Sequence, residues 1–167
     1  LIMVFNCPVL PAGKRLGLLI EAGGGAVASL DASVKEGLVV PRLSEGLQSR
    51  LADYLKGKAP PSANRKNPVD LVFVPKDDNY TVYVDSLEMM LSEVDICLMI
   101  AYLPFADNRF RQAVIGLRDK YKKPVILMPG NSADQVEGMI QAVAAGIPCY
   151  TMPENAIHSI GAMVRRA

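Results

Sequence analysis

The segment Arg15 to Gly37, RLGLLIEAGGGAVASLDASVKEG, constrains the chain more than any other. Leu16, Leu18, Leu19 and Ile20 form the short apolar run of a buried strand. Gly23, Gly24 and Gly25 follow at once. Apolar residues at Ala26, Val27, Leu30, Ala32 and Val34 then predict a helix from Ala26 to Glu36, which Gly37 stops. Glycine ends helices because it takes the left-handed conformation without steric cost. Glycines between a strand and a helix leave backbone N–H groups directed outward at a helix N-terminus, where the helix dipole favours an anion. Gly23, Gly24 and Gly25 are therefore a candidate phosphate cradle. The alternative is a tight strand-to-helix turn that binds nothing. Neither GxGxxG nor GxxxxGK[ST] is present, and Glu21 places a negative charge just before the glycines.

The rest of the chain repeats the same alternation. Leu38-Val39-Val40 reads as a short strand, and Ser44 as the N-cap of a helix from Glu45 to Lys56 that Gly57 ends. Lys58 to Asn67 is a polar, basic loop, with Lys56, Lys58, Arg65 and Lys66 in or beside it. Asn67-Pro68-Val69-Asp70 reads as a rigid turn, since Pro68 fixes its own φ and biases Asn67 away from the α region. A helix from Asn79 to Glu93, a buried strand from Val94 to Ala101 and a loop from Leu103 to Asn108 follow. Next come a helix from Arg109 to Tyr121 and a strand from Lys123 to Met128. A helix from Ala133 to Ala145, capped by Ser132 and stopped by Gly146, leads to a strand from Ile147 to Thr151 and a last helix opened by Pro153.

Short apolar strands alternating with amphipathic helices predict an α/β, three-layer flavodoxin-like fold with a parallel sheet of about five strands. Ligands in such folds sit outside the carboxyl ends of the strands. The turns at Glu21–Gly25, Leu103–Asn108 and Pro129–Asn131 should share that edge. Residues 1–14, broken by Pro8, Pro11 and Gly13, read as an interdomain tail, and residues 15–167 as the folded module. A first residue of Leu suggests a piece of a longer polypeptide.

Composition narrows the function. A net charge of +1 supplies no field to recruit nucleic acid, and the absence of Trp argues against a base-stacking surface. No apolar run is long enough to span a membrane. Cys7, Cys97 and Cys149 are widely spaced, which supports neither a metal site nor a disulfide framework and suits a reducing, cytoplasmic setting. His158, the one histidine, falls in the last helix, away from the expected ligand edge. A phosphoacceptor receiver domain would want an acidic pair after the first strand, an Asp ending the third and a Lys ending the last. Asp95 instead starts its strand, and Thr151-Met152 follows the last one.

An ordered set of motifs carries a resemblance. Leu19-Ile20-Glu21-Ala22-Gly23-Gly24, Glu36-Gly37-Leu38, Leu43-Ser44-Glu45, Asn67-Pro68-Val69-Asp70-Leu71, Lys123-Pro124-Val125, Ala145-Gly146-Ile147-Pro148 and Pro153-Glu154-Asn155-Ala156 occur in that order. From about Lys14 to Ala167 the chain resembles the flavodoxin-like succinyl-CoA-ligase module of NDP-forming acyl-CoA synthetases, the family of ADP-forming acetate–CoA ligase. The resemblance implies a part of an enzyme that interconverts acyl-CoA, NDP and phosphate with acid, CoA and NTP through an acyl phosphate and a phosphohistidine. It implies no catalytic residue and no bound cofactor or metal in this module. CoA, NDP or NTP and Mg would belong to the full enzyme. The partners implied are a CoA-binding domain with the phosphohistidine and an ATP-grasp domain, in the same chain or another subunit, with an oligomer possible. Gly23, Gly24 and Gly25 would receive the phosphoryl group, and Asn67 and Asp70 would shape the adjoining loop. The family's usual Asn in the turn is Glu21 here, and the usual Gly-Asp-Ala after NPVD is replaced by Val72 to Asp77. A docking or regulatory module on the same fold is the alternative.

Overall fold

A computed structural model describes residues 2–21, 23–72, 74, 79–102, 107–129 and 133–167, the side chains of 2, 79, 133 and 134 aside. The elements are α1 (Ile2–Phe5), β1 (Leu16–Ile20), α2 (Gly23–Lys35), α3 (Glu45–Leu55), β2 (Asn64–Arg65), β3 (Val69–Asp70), α4 (Asn79–Leu91), β4 (Ile96–Ile100), α5 (Asn108–Tyr121), β5 (Val125–Met128), α6 (Ala133–Ala144) and α7 (Pro153–Arg166). The five strands form one sheet in the order β2-β3-β1-β4-β5. β3, β1, β4 and β5 run parallel, and β2 is an antiparallel edge. This is the expected three-layer, flavodoxin-like arrangement.

Strand alternation sorts the core into two layers. Leu16, Leu18 and Ile20 of β1 join Ile96, Leu98 and Ile100 of β4 on one face, under Ala26 of α2 and Ile157, Ile160 and Met163 of α7. Leu19, Cys97, Met99, Val125 and Leu127 face the other way, under Leu47, Leu51 and Leu55 of α3, Leu87 and Met90 of α4 and Phe110 and Val114 of α5. Gly17 also faces α4: a Cβ there would stand 3.0 and 3.1 Å from Val94 and Met90 side-chain atoms. α1 packs on α7 and buries Val4, while Cys7 is buried just beyond it. Residues at this end of the chain, read as a tail, thus contribute to one core layer.

The strand expected at Leu38–Val40 is reduced to one parallel bridge between Val39 and Arg15. Pro41 offers no N–H to extend it. The neighbour of β1 on that side is β3, so the expected turn at Asn67–Asp70 supplies a strand, with Leu19 opposite Val69 and Ile20 opposite Asp70. Between bridge and strand, the Asn67 carboxamide completes the ladder. Its Oδ1 accepts from Leu18 N at 2.9 Å, and its Nδ2 donates to Leu16 O at 3.0 Å and Pro41 O at 2.9 Å. It thereby makes the two bonds to β1 that the peptide groups of a parallel strand would make. Asn67 holds a φ of 84°, which asparagine tolerates better than most residues. The loop expected across Lys58–Asn67 contains the edge strand β2. The last strand, expected at Ile147–Thr151, is also a single bridge, Cys149 to Leu127.

Several expected stops and caps are in place. Ser44 Oγ accepts from Leu47 N at 3.2 Å and also pairs with Glu93. Gly37, Gly57 and Gly146 all have positive φ. The expected cap at Ser132 and the loop residues 103–106 lie outside the described residues. At the amino ends of the strands, Arg15 clamps Asp95 through its backbone N at 3.0 Å and its guanidinium at 3.1 and 2.8 Å.

Asn67→Ala removes three hydrogen bonds and leaves strand groups unpaired. At about 1 kcal/mol for each bond, stability should fall by roughly 2–4 kcal/mol in a urea melt. Arg15 holds the Asp95 carboxyl below its usual range. That contribution is present above the unfolded value of about 4 and is lost as pH falls through the lower folded value. Asp95→Asn should therefore be less stable than the parent at neutral pH, and the gap should close below about pH 4.

Candidate functional site

The chain passes from β1 to β3 on one side and then from β3 back across to β4 on the other side of β1. This places the topological switch point at the carboxyl ends of β1 and β4, where such folds bind ligands. α2 begins there at Gly23. The three glycines thus form its first turn rather than a loop before it, with the helix running from Gly23 instead of Ala26. Their N–H groups are among the first four of the helix, which have no intrahelical acceptor. Gly23 and Gly24 are exposed and Gly25 is half-buried. A Cβ on Gly24 would meet nothing within 4 Å, whereas one on Gly25 would stand 3.3 Å from two Ile100 side-chain atoms. Glycine is thus needed for close packing at Gly25, while at Gly24 its absence of a side chain leaves the backbone open to solvent.

Two carboxylates flank this turn. Glu21 N donates to Ile100 O at 3.0 Å, and Glu21 Oε2 accepts from Tyr102 N at 2.8 Å. Glu21 therefore ties the ends of β1 and β4 together beyond their last register pair. Asp70 Oδ1 accepts from Val72 N at 2.8 Å. Its Oδ2 is 3.9 Å from where a Gly23 Cβ would be. Each carboxylate spends one oxygen on a backbone N–H and is held in place by it. Tyr102, 67% exposed, stands beside them.

The structure brings Gly23, Gly24, Gly25 and Asp70 together with Glu21. It separates Asn67, whose amide lies along β1 at Leu16–Leu18 instead of at its carboxyl end. Arg65 and Lys66 lead away from Glu21. Asn64 pairs with Asp70, so the antiparallel β2 carries Arg65 and Lys66 away from the edge. These two line a groove with Gln48 and Ser49 of α3, and Lys58 Nζ lies 3.6 Å from the centroid of the Tyr54 ring.

Other chemistry is distant or blocked. His158 Nδ1 lies 2.7 Å from Glu36 Oε1, and Arg165 holds Glu36 Oε2 at 2.7 Å. Glu36 follows the last turn of α2, at the far end from the glycines. The Arg165 and His158 bonds hold its carboxyl below the usual range. Burial pushes the thiols of Cys97 and Cys149 up to about 12, which removes them as thiolate nucleophiles. Among the described residues, no group of three or more acidic, His or Cys side chains could hold a metal, and no helix is long and apolar enough to cross a membrane.

Sequence reasoning missed Tyr83. It lies in the first half of α4, fully buried, and its hydroxyl makes no hydrogen bond of normal distance and angle. Burial first, and then the nearby Glu21 and Asp70 carboxylates, raise its pKa well above the ordinary tyrosine value. Only the fold reveals which carboxylates approach it.

Comparison with known proteins supplies the context. The chain is 29% identical over 168 residues to the alpha subunit of Acetate--CoA ligase [ADP-forming] II from Pyrococcus furiosus, covering 95% of this chain and 35% of the relative. It is 23% identical to 4-hydroxybutyrate--CoA ligase [ADP-forming] from Nitrosopumilus maritimus, covering 96% of this chain and 22% of that protein. A solved Pyrococcus horikoshii structure superposes with a TM-score of 0.81 at 25% identity, covering 99% of this chain and 38% of that one. No family model matches. The chain thus spans between about a fifth and about a third of the length of these curated relatives. It is homologous to one segment of ADP-forming acyl-CoA ligases, as its motifs indicate.

Because the Gly24 Cβ position is open, Gly24→Ala should fold normally and match or exceed the parent in stability by up to about 1 kcal/mol through higher helix propensity. Gly25→Ala, pressed on Ile100, should gain less or lose stability. Parallel chemical denaturation of the two variants checks the contrast.

Proposed function

We propose that this chain, a homologue of one segment of ADP-forming acyl-CoA ligases, is the phosphoryl-receiving module of an NDP-forming acyl-CoA synthetase. Its α2 N-terminus accepts the phosphoryl group of a phosphohistidine carried by another domain. The carrying observation is the exposed first turn of α2, with Gly23, Gly24 and Gly25 at the switch point of the sheet. Fixed N–H donors aligned with a helix dipole stabilise phosphate charge without reorganising during transfer. The full reaction, acyl-CoA, NDP and phosphate to acid, CoA and NTP, needs groups outside this chain. CoA and nucleotide with Mg would be bound by a CoA-binding, phosphohistidine-bearing domain and an ATP-grasp domain. In this module Asp70 shapes the turn next to Gly23, and Asn67 holds the strand that carries Asp70.

A second reading has its own support. Glu21 and Asp70 put two negative charges beside the helix N-terminus, with no free cation among the described residues shown close to them. That pattern favours a docking or regulatory module that has lost phosphoryl binding.

The two readings differ in a titration of glycine-¹⁵N-labelled protein with inorganic phosphate, followed by NMR. Phosphate should shift the Gly23, Gly24 and Gly25 amides, and Gly24→Glu, which puts a carboxylate into the open space, should abolish the response. Glu21→Gln should tighten binding about five-fold, equivalent to roughly 1 kcal/mol for one nearby, partly screened charge. Glycine amides that stay still in both the parent and Glu21→Gln would leave the docking reading.

A further inference from the structure

We propose that Tyr83 is a positioning residue for Glu21: its buried hydroxyl holds the Glu21 carboxylate on the α4 side of the sheet, away from an anion at the Gly23–Gly25 amides. This inference rests on the phosphoryl-site reading above. A buried hydroxyl without a well-formed hydrogen bond is costly, so the acceptor within its reach is where that bond is completed. Tyr83 is fully buried, and its hydroxyl, which makes no hydrogen bond of normal distance and angle, lies within reach of the Glu21 carboxylate.

Strand alternation indicates the partner. Gly17 and Leu19 of β1 face the α4 layer, where Leu19 shares a core cluster with Tyr83. Glu21, two residues beyond Leu19, continues on that face, whereas α2 packs on the opposite one. After burial, it is the Glu21 carboxylate, through its charge and a hydrogen bond, and then the Asp70 charge that raise the Tyr83 pKa. The Glu21 carboxylate already gives Oε2 to Tyr102 N. Its second oxygen, Oε1, can accept from Tyr83 while the first bond is kept. The negative charge is then fixed between α4 and the end of β4, with the thickness of the sheet end between it and the first turn of α2. A freely rotating carboxylate could instead approach the glycine amides and compete with phosphate for them.

The test is a double-mutant cycle on the same NMR titration with inorganic phosphate, using the parent, Tyr83→Phe, Glu21→Gln and the double variant. Tyr83→Phe should weaken phosphate binding at Gly23–Gly25 by about three- to ten-fold, leave the melting temperature unchanged or slightly raised, and have no effect in the Glu21→Gln background. Equal weakening in both backgrounds would mean a purely structural role and overturn the inference. Unchanged affinity in Tyr83→Phe would also overturn it while leaving the phosphoryl site standing. If the glycine amides respond to phosphate in neither the parent nor Glu21→Gln, the inference and the phosphoryl reading fall together.

Discussion

A strand buried on both faces must have its N–H and C=O groups met along both edges, and β1 meets this demand in two different ways. On one edge β4 pairs with it continuously, from Leu16 opposite Ile96 to Ile20 opposite Ile100. On the other, three separate pieces share the work: the Val39 bridge, the Asn67 carboxamide and β3. The rest of the architecture follows from this division. Because β3 takes up the ladder only at Leu19 and Ile20, Asp70 arrives level with the end of β1, next to the first residue of α2. The position of one side of the candidate site is thus set by an amide that lies well below it.

The same site holds a conflict between two electrostatic preferences. Free N–H groups at a helix start attract anions, while Glu21 and Asp70 repel them. The structure lessens this conflict by anchoring each carboxylate to a backbone donor, Tyr102 N for Glu21 and Val72 N for Asp70. Anchoring sets where the charges sit without removing them. Arg65 and Lys66, which could have neutralised them, follow β2 toward the other end of the sheet. Compensation must therefore come from side-chain placement within the edge itself.

Much of the fold was legible because it depends on local pattern. The apolar runs of β1 and β4, the Ser44 cap and the glycine stops at Gly37, Gly57 and Gly146 all encode structure within a few residues. The errors arose where long-range pairing decides. Leu38–Val40 has the composition of a strand, but Pro41 and the competing β3 limit it to one bridge. Asn67–Asp70 has the composition of a turn, yet Val69 and Asp70 find β1, some fifty residues earlier in the chain, as a partner. At the site, the glycines were visible in the sequence, as was the odd charge at Glu21. The place of Tyr83 was not, because a tyrosine on a mostly apolar helix looks like any other core residue until its neighbours are known.

The burial of all three cysteines bears on how the protein can be studied. Cys7, Cys97 and Cys149 are each at most 7% exposed, and burial raises the pKa of every one. Native thiols this poorly ionised and accessible react slowly with maleimides and other alkylating reagents. One cysteine introduced at an exposed position would then be the dominant labelling site without prior removal of the natural ones. The open space above Gly24 is suited to it, so a fluorophore or spin label could report on the α2 N-terminus against a chemically quiet background.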